Sequence, residues 1–463
     1  MQIPSVTAIA GLFHKRLLYL QRYASGARAA GAAGVAGGVP CPPRRYSAKA
    51  STSPGMKVAI CGAAGCTGQP LALLLKQSPL LDEVALYDVR PTCGAGTELN
   101  HVDTRCRVTS YSCPQHIACA LEDAKVVVIV ARDCDDSFES NAPVMTELAV
   151  QICNHCPDAF TIVGTEPVES LVPLVAELRR LRGGGGARRL LGCVELHAVR
   201  ANTALADFLN VPPEQVRVPV IGGATPQTMV PVLSAALHPN NLTQEQVECL
   251  TSCIMSGNET VREAKGRPTG TACLAGAYAL ARTTLNVVKG LQGKGTTQVG
   301  YVDSCGTCAP DCQFFATEVD LGPSGIEKVH GIPELTKFEN CLLCSSLPLI
   351  RNEIARAVWL VYSMCNQPMA AAPGPCAGAA AAPPNWNSGH PDEYLATICR
   401  EMTSRYSEAP IQWLPREAGC GAAGSLAHQM PGRSAACPAS CAPPSVRYAD
   451  QQRRRPKPPC TTC

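Results

Sequence analysis

A glycine-rich turn between a strand-length apolar run and a helical pattern constrains the fold of this chain more than any other feature. The stretch reads VAICGAAGCTGQPLALLLK, in which Gly62, Gly65 and Gly68 form a G-x-x-G-x-x-G pattern. The first glycine permits a tight turn, the second lets the backbone approach a pyrophosphate, and the third allows the helix to pack closely on the sheet. The N-terminus of the helix favours phosphate charge. The pattern predicts the nucleotide-binding unit of a Rossmann fold.

An acidic residue in the next apolar run favours a dinucleotide as the ligand of this unit. Asp88 ends the run EVALYD and lies about 20 residues beyond Gly68, the distance at which a carboxylate reaches the ribose hydroxyls of adenosine. Because this carboxylate would repel a 2′-phosphate, the pattern favours NAD over NADP. The alternative is a Rossmann fold whose crevice holds no cofactor.

Strand and helix patterns alternate along the first half of the chain after residue 55. The runs MKVAIC, EVALYD, KVVVIVA and AFTIVG are separated by stretches with helical periodicity, which predicts a doubly wound parallel sheet over residues 55–200. Residues 201–362 combine a strand QVRVPVIGG, a long helix, a strand pair TTQVGYVDS and CQFFATEVDLG, and a last amphipathic helix. We therefore predict an N-terminal Rossmann domain followed by an α+β domain.

The two ends of the chain differ in composition from the part between them. Residues 1–54 contain no Asp or Glu and combine Arg and Lys with apolar residues, which is typical of a mitochondrial transit peptide. We expect this segment to be disordered and the protein to lie in the mitochondrial matrix; the alternative is a leader with no targeting role. Residues 363–463 are rich in Pro, Ala and Cys and are predicted to be mostly disordered.

Net charge, the length of apolar runs and the placement of cysteines limit the kinds of binding partner that we expect. A formal net charge of +3 gives no reason to expect a nucleic acid, and no apolar run reaches the roughly 18 residues of a membrane span. The 27 cysteines are scattered, and zinc needs four convergent ligands, so we predict no metal site and mostly reduced, structural thiols. Four C-x-x-C pairs occur, namely Cys153/Cys156, Cys305/Cys308, Cys341/Cys344 and Cys460/Cys463.

Several motifs carry a resemblance to a known family. The run GAAGCTGQPLALLLKQSPLLDEVALYDVRPTCGAGTELNH and the motifs VRANT, VPVIGG, TMVPV and SGIEKVHGI resemble the mitochondrial-type malate dehydrogenases of the lactate/malate dehydrogenase family. The likeness extends from about Met56 to about Ala357. It implies an NAD-binding N-terminal domain, a second domain with most of the catalytic residues, and a homodimer. The cofactor-binding positions implied are Gly62, Gly65, Gly68, Asp88 and Asn141.

Most positions that the resemblance assigns to catalysis carry other residues. Ala224 stands where the family has its proton-transferring histidine, and His197 replaces the aspartate that orients that histidine. Cys134 replaces one arginine of the substrate-binding loop, and another loop arginine has no aligned residue. Glu166 replaces the asparagine beside the substrate. Arg200, the arginine that binds the substrate carboxylate, is the residue of these six positions that is retained.

These replacements leave three interpretations. The first is an NAD-binding malate dehydrogenase-like protein without normal turnover, with a structural or regulatory role that would include a place in a larger mitochondrial complex. The second is a dehydrogenase with a rebuilt site, in which His197 acts as the base; a solvated or helix-packed histidine is the simpler interpretation of that residue. The third is a damaged or mispredicted gene product, to which the stretch RLRGGGGARR and the tail would belong.

Overall fold

The computed structural model describes residues 55–133, 136–236, 242–266, 272–304, 307–309 and 312–365. The predicted transit peptide lies outside the described residues, as do Cys134, Cys305, the pair Cys460/Cys463 and the predicted tail beyond residue 365. Residues 363–365, which we expected to begin the tail, instead continue the last helix.

The described residues form eleven strands and ten α-helices. The strands are β1 Lys57–Cys61, β2 Glu83–Asp88, β3 Arg107–Ser112, β4 Val126–Ile129, β5 Phe160–Val163, β6 Leu190–Gly192, β7 Val220–Gly222, β8 Met229–Pro231, β9 Thr296–Asp303, β10 Phe314–Gly322 and β11 Gly325–Val329. The helices are α1 Gly68–Lys76, α2 Cys93–Leu99, α3 Ile117–Leu121, α4 Phe138–His155, α5 Val168–Arg182, α6 Glu195–Leu209, α7 Gln244–Met255, α8 Gly257–Lys265, α9 Cys273–Leu291 and α10 Lys337–Cys365.

The strands join into one mixed sheet in the order β3-β2-β1-β4-β5-β6-β9-β10-β7-β8, with β11 beside β10. The first six strands are parallel, as the alternating pattern predicts. The following strands are antiparallel, and β9 pairs with β10 along eight residue pairs. The predicted Rossmann sheet followed by an α+β part is therefore confirmed.

The apolar runs of the central strands follow from burial on both faces of the sheet. Residues 126–129 of β4 are all fully buried, and successive side chains enter two different hydrophobic clusters. Val127 and Ile129 pack against the face covered by α4 and α5, whereas Val126 and Val128 pack against the face covered by α1 and α9. A strand covered on both faces has no polar side to present, so its sequence is a continuous β-branched run.

The two halves are joined through the sheet. β6 contacts β9 at the pair Gly192 and Tyr301, which connects the parallel to the antiparallel part. α6 runs without interruption from Glu195 to Leu209, so the domain boundary predicted after residue 200 falls inside this helix. This helix, which carries the candidate site residues 197 and 200, packs mainly against α7, α9 and strands of the second half.

The glycine-rich stretch after α5 has a defined role in ending that helix. Gly183 adopts a left-handed backbone with φ of +69°, and the Gly184 N–H donates to the Arg179 carbonyl at 2.9 Å. The Gly185 N–H donates to the Pro157 carbonyl at 2.9 Å. A left-handed glycine with a backward hydrogen bond is a common helix terminus, so this stretch forms a specific cap on α5.

Two classes of feature are absent from the described part of the chain. None of its helices is long and apolar enough to cross a membrane. Within the same residues, no three His, Cys, Asp or Glu side chains form a cluster that could hold a metal ion.

We predict that Gly68→Ala destabilises the fold because a Cβ there has no room. It would lie 2.4 Å from the Gly62 carbonyl oxygen and 2.7 Å from the Ala63 Cα, both backbone atoms. Overpacking of this kind lowers the free energy of unfolding by about 1–3 kcal/mol, measurable by chemical denaturation. Gly94→Ala in α2 is the control, since a Cβ there meets nothing within 4 Å. Equal stability of the two variants would contradict this account of the turn.

Candidate functional site

The glycine-rich turn brings the ends of β1 and β2 together at the carboxyl edge of the sheet. Gly62 has a φ of +98° and its N–H donates to the Tyr87 carbonyl at 2.8 Å. Asp88 follows at the end of β2, is only 6% exposed, and accepts a 2.9 Å hydrogen bond from the Ala64 N–H. The predicted cofactor residues of the turn therefore lie together with the predicted ribose carboxylate.

Arg90 covers the outer side of this turn. Its backbone N–H and its Nε donate to Asp88 Oδ1 at 3.0 and 3.4 Å. Its guanidinium would lie 3.6 Å from a Cβ placed on Gly65, so the glycine leaves the backbone accessible beside the arginine. A turn of accessible amides at the start of a helix, with a carboxylate at its edge, fits the pyrophosphate and ribose of a dinucleotide.

Asn141 connects the loops that follow β4 and β5. Its side chain is fully buried; Oδ1 accepts from the Asp133 N–H at 2.8 Å and Nδ2 donates to the Glu166 carbonyl at 2.9 Å. These two hydrogen bonds hold the loops after β4 and β5 in a fixed position relative to each other, beside the crevice. In the structure Asn141 has this positioning role, and its contact with a cofactor stays a prediction.

A cavity of about 100 Å³ opens at the carboxyl ends of β4 and β5. Its lining comes from both halves of the chain. Chemically active or polar groups among the lining residues are Thr67, Arg132, Asp136, Thr165, Glu166, Cys193, His197, Asn258 and Arg262, and Ala224 completes the wall. The structure thus brings together residues 166, 197 and 224, three positions that the family resemblance assigns to the site and that are far apart in the sequence.

His197 lies on α6, and its side chain forms part of the cavity wall together with Ala224. It is 5% exposed, so the interpretation as a solvated histidine is wrong. Burial, with repulsion from Arg200 in second place, lowers the pKa of His197 to about 4, while a hydrogen bond with the backbone of Ala224 acts in the opposite direction. Nδ1 has no hydrogen-bond partner among the described residues. The imidazole is therefore neutral at physiological pH.

Glu166 lies at the mouth of the cavity and is exposed to solvent. Partial loss of water raises the pKa of this carboxyl, and Asp136 raises it further by repulsion. Attraction by Arg200, Arg132 and Arg262 opposes both effects. Glu166 is therefore attracted electrostatically by three arginines, in the position where the family resemblance implies a neutral asparagine.

Each of these arginines already has a polar partner. Arg132 Nη1 lies 2.6 Å from Asp136 Oδ1, and Arg262 forms an ion pair with Glu259 in the next turn of α8. Arg200 Nη2 donates to Asn258 Oδ1 at 2.8 Å. Burial lowers the pKa of Arg200 and Glu166 raises it. An incoming anion would have to compete with these contacts.

Glu169 is a residue near the site whose role the sequence does not indicate. It is 1% exposed, and its Oε1 accepts from the Ala224 and Thr225 N–H groups at 2.5 and 3.0 Å and from the Thr228 hydroxyl. Burial raises the pKa of this carboxyl, and the three hydrogen bonds lower it. The carboxylate thereby fixes the turn between β7 and β8. The two glutamates in TEPVES were a signal, but they do not indicate a partner more than 50 residues away.

We predict that Glu169→Ala destabilises the protein through this turn. The buried Thr228 hydroxyl and the partly buried Ala224 N–H lose their acceptor, which costs about 1–3 kcal/mol in the free energy of unfolding, whereas the Thr225 N–H keeps a second acceptor in Thr228 Oγ1. Chemical denaturation at neutral pH measures the loss. The control is Glu98→Ala, an exposed helical glutamate whose removal changes stability by no more than about 0.5 kcal/mol. A Glu169 variant as stable as the control would refute the anchoring role.

His197 gives the protein a predicted acid sensitivity. Its pKa is about 4 in the folded state and near 6.5 unfolded, so the unfolded chain binds more protons between these values and stability falls as pH drops below about 6.5. From pH 7.5 to 5 the expected loss is about 2 kcal/mol. Denaturation curves at both pH values should show that His197→Ala removes this dependence. His101→Ala, at an exposed position, should retain it; equal pH dependence of both variants would contradict the buried neutral imidazole.

Two family profiles match the chain. The profile for the lactate/malate dehydrogenase NAD binding domain matches residues 56–183, and the profile for the lactate/malate dehydrogenase alpha/beta C-terminal domain matches residues 195–360. Mitochondrial malate dehydrogenase of Felis catus is 36% identical over 329 residues, which cover 69% of this chain and 96% of that protein. The Mus musculus protein is 35% identical over the same length.

Solved structures show the same fold at lower identity. Lactate dehydrogenase from Eimeria maxima with NADH and oxamate aligns with a TM-score of 0.59 and 23% identity, covering 69% of this chain and 99% of that one. Malate dehydrogenase from Cryptosporidium parvum aligns with a TM-score of 0.57 and 24% identity over 66% of this chain and 99% of that one. Together with the profiles, these matches confirm the resemblance and the NAD-binding type of the N-terminal domain. The chain belongs to the lactate/malate dehydrogenase family.

Proposed function

We propose that this protein is a mitochondrial, NAD-binding member of its family that does not interconvert malate and oxaloacetate and has a structural or regulatory role. The observation that carries the proposal is a pair of residues in the cavity wall. Ala224 lies in the turn where the family resemblance implies a histidine, and the buried His197 beside it is neutral. The similarity to mitochondrial malate dehydrogenases and the acid-free leader support a location in the matrix. A homodimer and domains at 55–200 and 201–362 are part of the proposal.

Reduction of a ketone requires a proton donor next to the forming alkoxide. An imidazole with a pKa of about 4 is protonated in roughly one molecule in a thousand at pH 7, which adds about 4 kcal/mol to the barrier. The nearest anchored carboxylate, Glu169, accepts from Ala224, Thr225 and Thr228 rather than from His197. His197 thus lacks the carboxylate partner that would raise its pKa and orient it.

The charges around the cavity also oppose a dicarboxylate. Glu166 faces the same arginines that a substrate carboxylate would need, and it repels such a substrate. Arg132 and Arg262 are each paired with a carboxylate of their own. Binding of a doubly charged substrate therefore requires the loss of existing ion pairs in a partly desolvated site.

The cofactor half of the site retains its binding groups. The backbone at Gly65 and Thr67, the start of α1 and the Asp88 carboxylate would hold the pyrophosphate and the adenosine ribose of NAD. When bound, NAD would supply the hydride carrier of the family reaction. In this protein the dinucleotide would chiefly stabilise the folded state, since a ligand that binds only the native form adds to stability.

Calorimetric titration with NADH and a steady-state assay of oxaloacetate reduction test the proposal together. We expect binding of NADH, at least tenfold weaker binding by Asp88→Ala, and no oxidation of NADH above the protein-free rate. Absence of binding would overturn the cofactor assignment. Turnover that His197→Ala abolishes and His101→Ala retains would overturn the loss of catalysis.

One observation favours a dehydrogenase with rebuilt chemistry as the second candidate. His197 Nδ1 is buried without a hydrogen-bond partner among the described residues, and its ring lines the cavity. A neutral imidazole can accept the hydroxyl proton of a 2-hydroxy acid as hydride leaves. If this candidate is correct, the protein forms NADH from NAD and a 2-hydroxy acid such as malate. The His197→Ala variant should not form NADH.

A further inference from the structure

Two cysteines meet at the glycine-rich turn although 207 residues separate them in the sequence. Cys66 lies in the turn itself, between Gly65 and Gly68, and Cys273 is the first residue of α9. Their Sγ atoms are 2.7 Å apart. A disulfide bond is about 2.05 Å long, so these side chains need to move by less than about 1 Å to form one.

The two thiols are accessible and lie close to a positively charged side chain. Cys66 is exposed and Cys273 half-buried, so a small reagent can reach the pair. Each lies at the N-terminal end of a helix, α1 or α9, where the backbone N–H groups stabilise a thiolate. Arg132 interacts electrostatically with both thiols. Burial and the second thiol raise the pKa of Cys66 above its ordinary value, and Arg132 and Thr67 oppose this only in part, so the attacking thiolate is the minor form at neutral pH.

The position of the pair connects it to the candidate cofactor site. Thr67 and Ala272, which are the direct chain neighbours of the two cysteines, both line the cavity. A bond between them would connect the phosphate-binding turn of the N-terminal half to α9 of the C-terminal half. The cavity of about 100 Å³ is smaller than the roughly 300–1,000 Å³ of most small-molecule sites, so a dinucleotide would require the turn and α9 to move apart, and the bond would prevent this movement.

We infer that Cys66 and Cys273 form a redox-active dithiol site that, when oxidised by a small disulfide such as glutathione disulfide, excludes the dinucleotide from the glycine-rich turn. This regulatory consequence rests on the proposed NAD binding. In the first step, one cysteine thiolate attacks glutathione disulfide, which gives a mixed disulfide and one glutathione thiolate. The second cysteine then attacks the mixed disulfide, which forms the Cys66–Cys273 bond and releases the second glutathione. Two protein thiols are oxidised and one glutathione disulfide is reduced.

Peptide mapping of the full-length protein tests the site without reference to NAD. The protein is treated with a reductant or with glutathione disulfide, remaining thiols are alkylated, and tryptic peptides are analysed by mass spectrometry. We expect a linked peptide pair that contains Cys66 and Cys273 in the oxidised sample, absent after reduction. Failure to find this pair, with other cysteines oxidised, would overturn the site.

NADH titration of the same samples tests the consequence. The oxidised protein should bind NADH at least tenfold more weakly than the reduced protein, and Cys273→Ser should show equal affinity in both states. Cys119→Ser, which removes an exposed thiol of α3, should keep the difference. Equal affinity of both states of the unaltered protein, with the linked peptide present, would overturn the regulation. If the reduced protein does not bind NADH, the proposed function and its regulation fail, while the peptide result still decides the dithiol site.

Discussion

The Glu169 carboxylate determines the shape of the site because it fixes the turn between β7 and β8 through hydrogen bonds. It accepts hydrogen bonds from the partly buried Ala224 and Thr225 N–H groups and from the buried Thr228 hydroxyl. The turn therefore keeps a fixed geometry although its tip carries a methyl group instead of a functional side chain. The conformation of the turn depends on the buried Glu169 carboxylate on α5. Proton transfer at the turn would depend on the side chain at position 224.

Desolvation then decides the charge state of His197. It lowers the pKa of this buried side chain, so the imidazole is neutral. Asp136 and Glu259 pair with Arg132 and Arg262, and Arg200 donates to Asn258, so an incoming carboxylate would compete with existing contacts. These observations support the proposal that the site does not transfer a proton to a dicarboxylate.

The sequence predicts the fold class well because local periodicity indicates the alternation of strands and helices that is typical of a doubly wound sheet. It predicts the glycine-rich turn and Asp88 for the same reason, since both belong to one βαβ unit. It does not predict the contacts of Glu169 with residues 224–228 or of Cys66 with Cys273, because these depend on how distant elements pack. The burial of His197 also escapes local patterns, as only the packed position of α6 excludes water from its ring.

The most direct test of the central claim is a single-turnover experiment in which excess protein is loaded with NADH and mixed rapidly with oxaloacetate. Absorbance at the NADH band reports hydride transfer itself, without the steps of product release. The account predicts no decay faster than that of NADH without protein. A rapid loss of one equivalent of NADH per site, absent from His197→Ala, would contradict it.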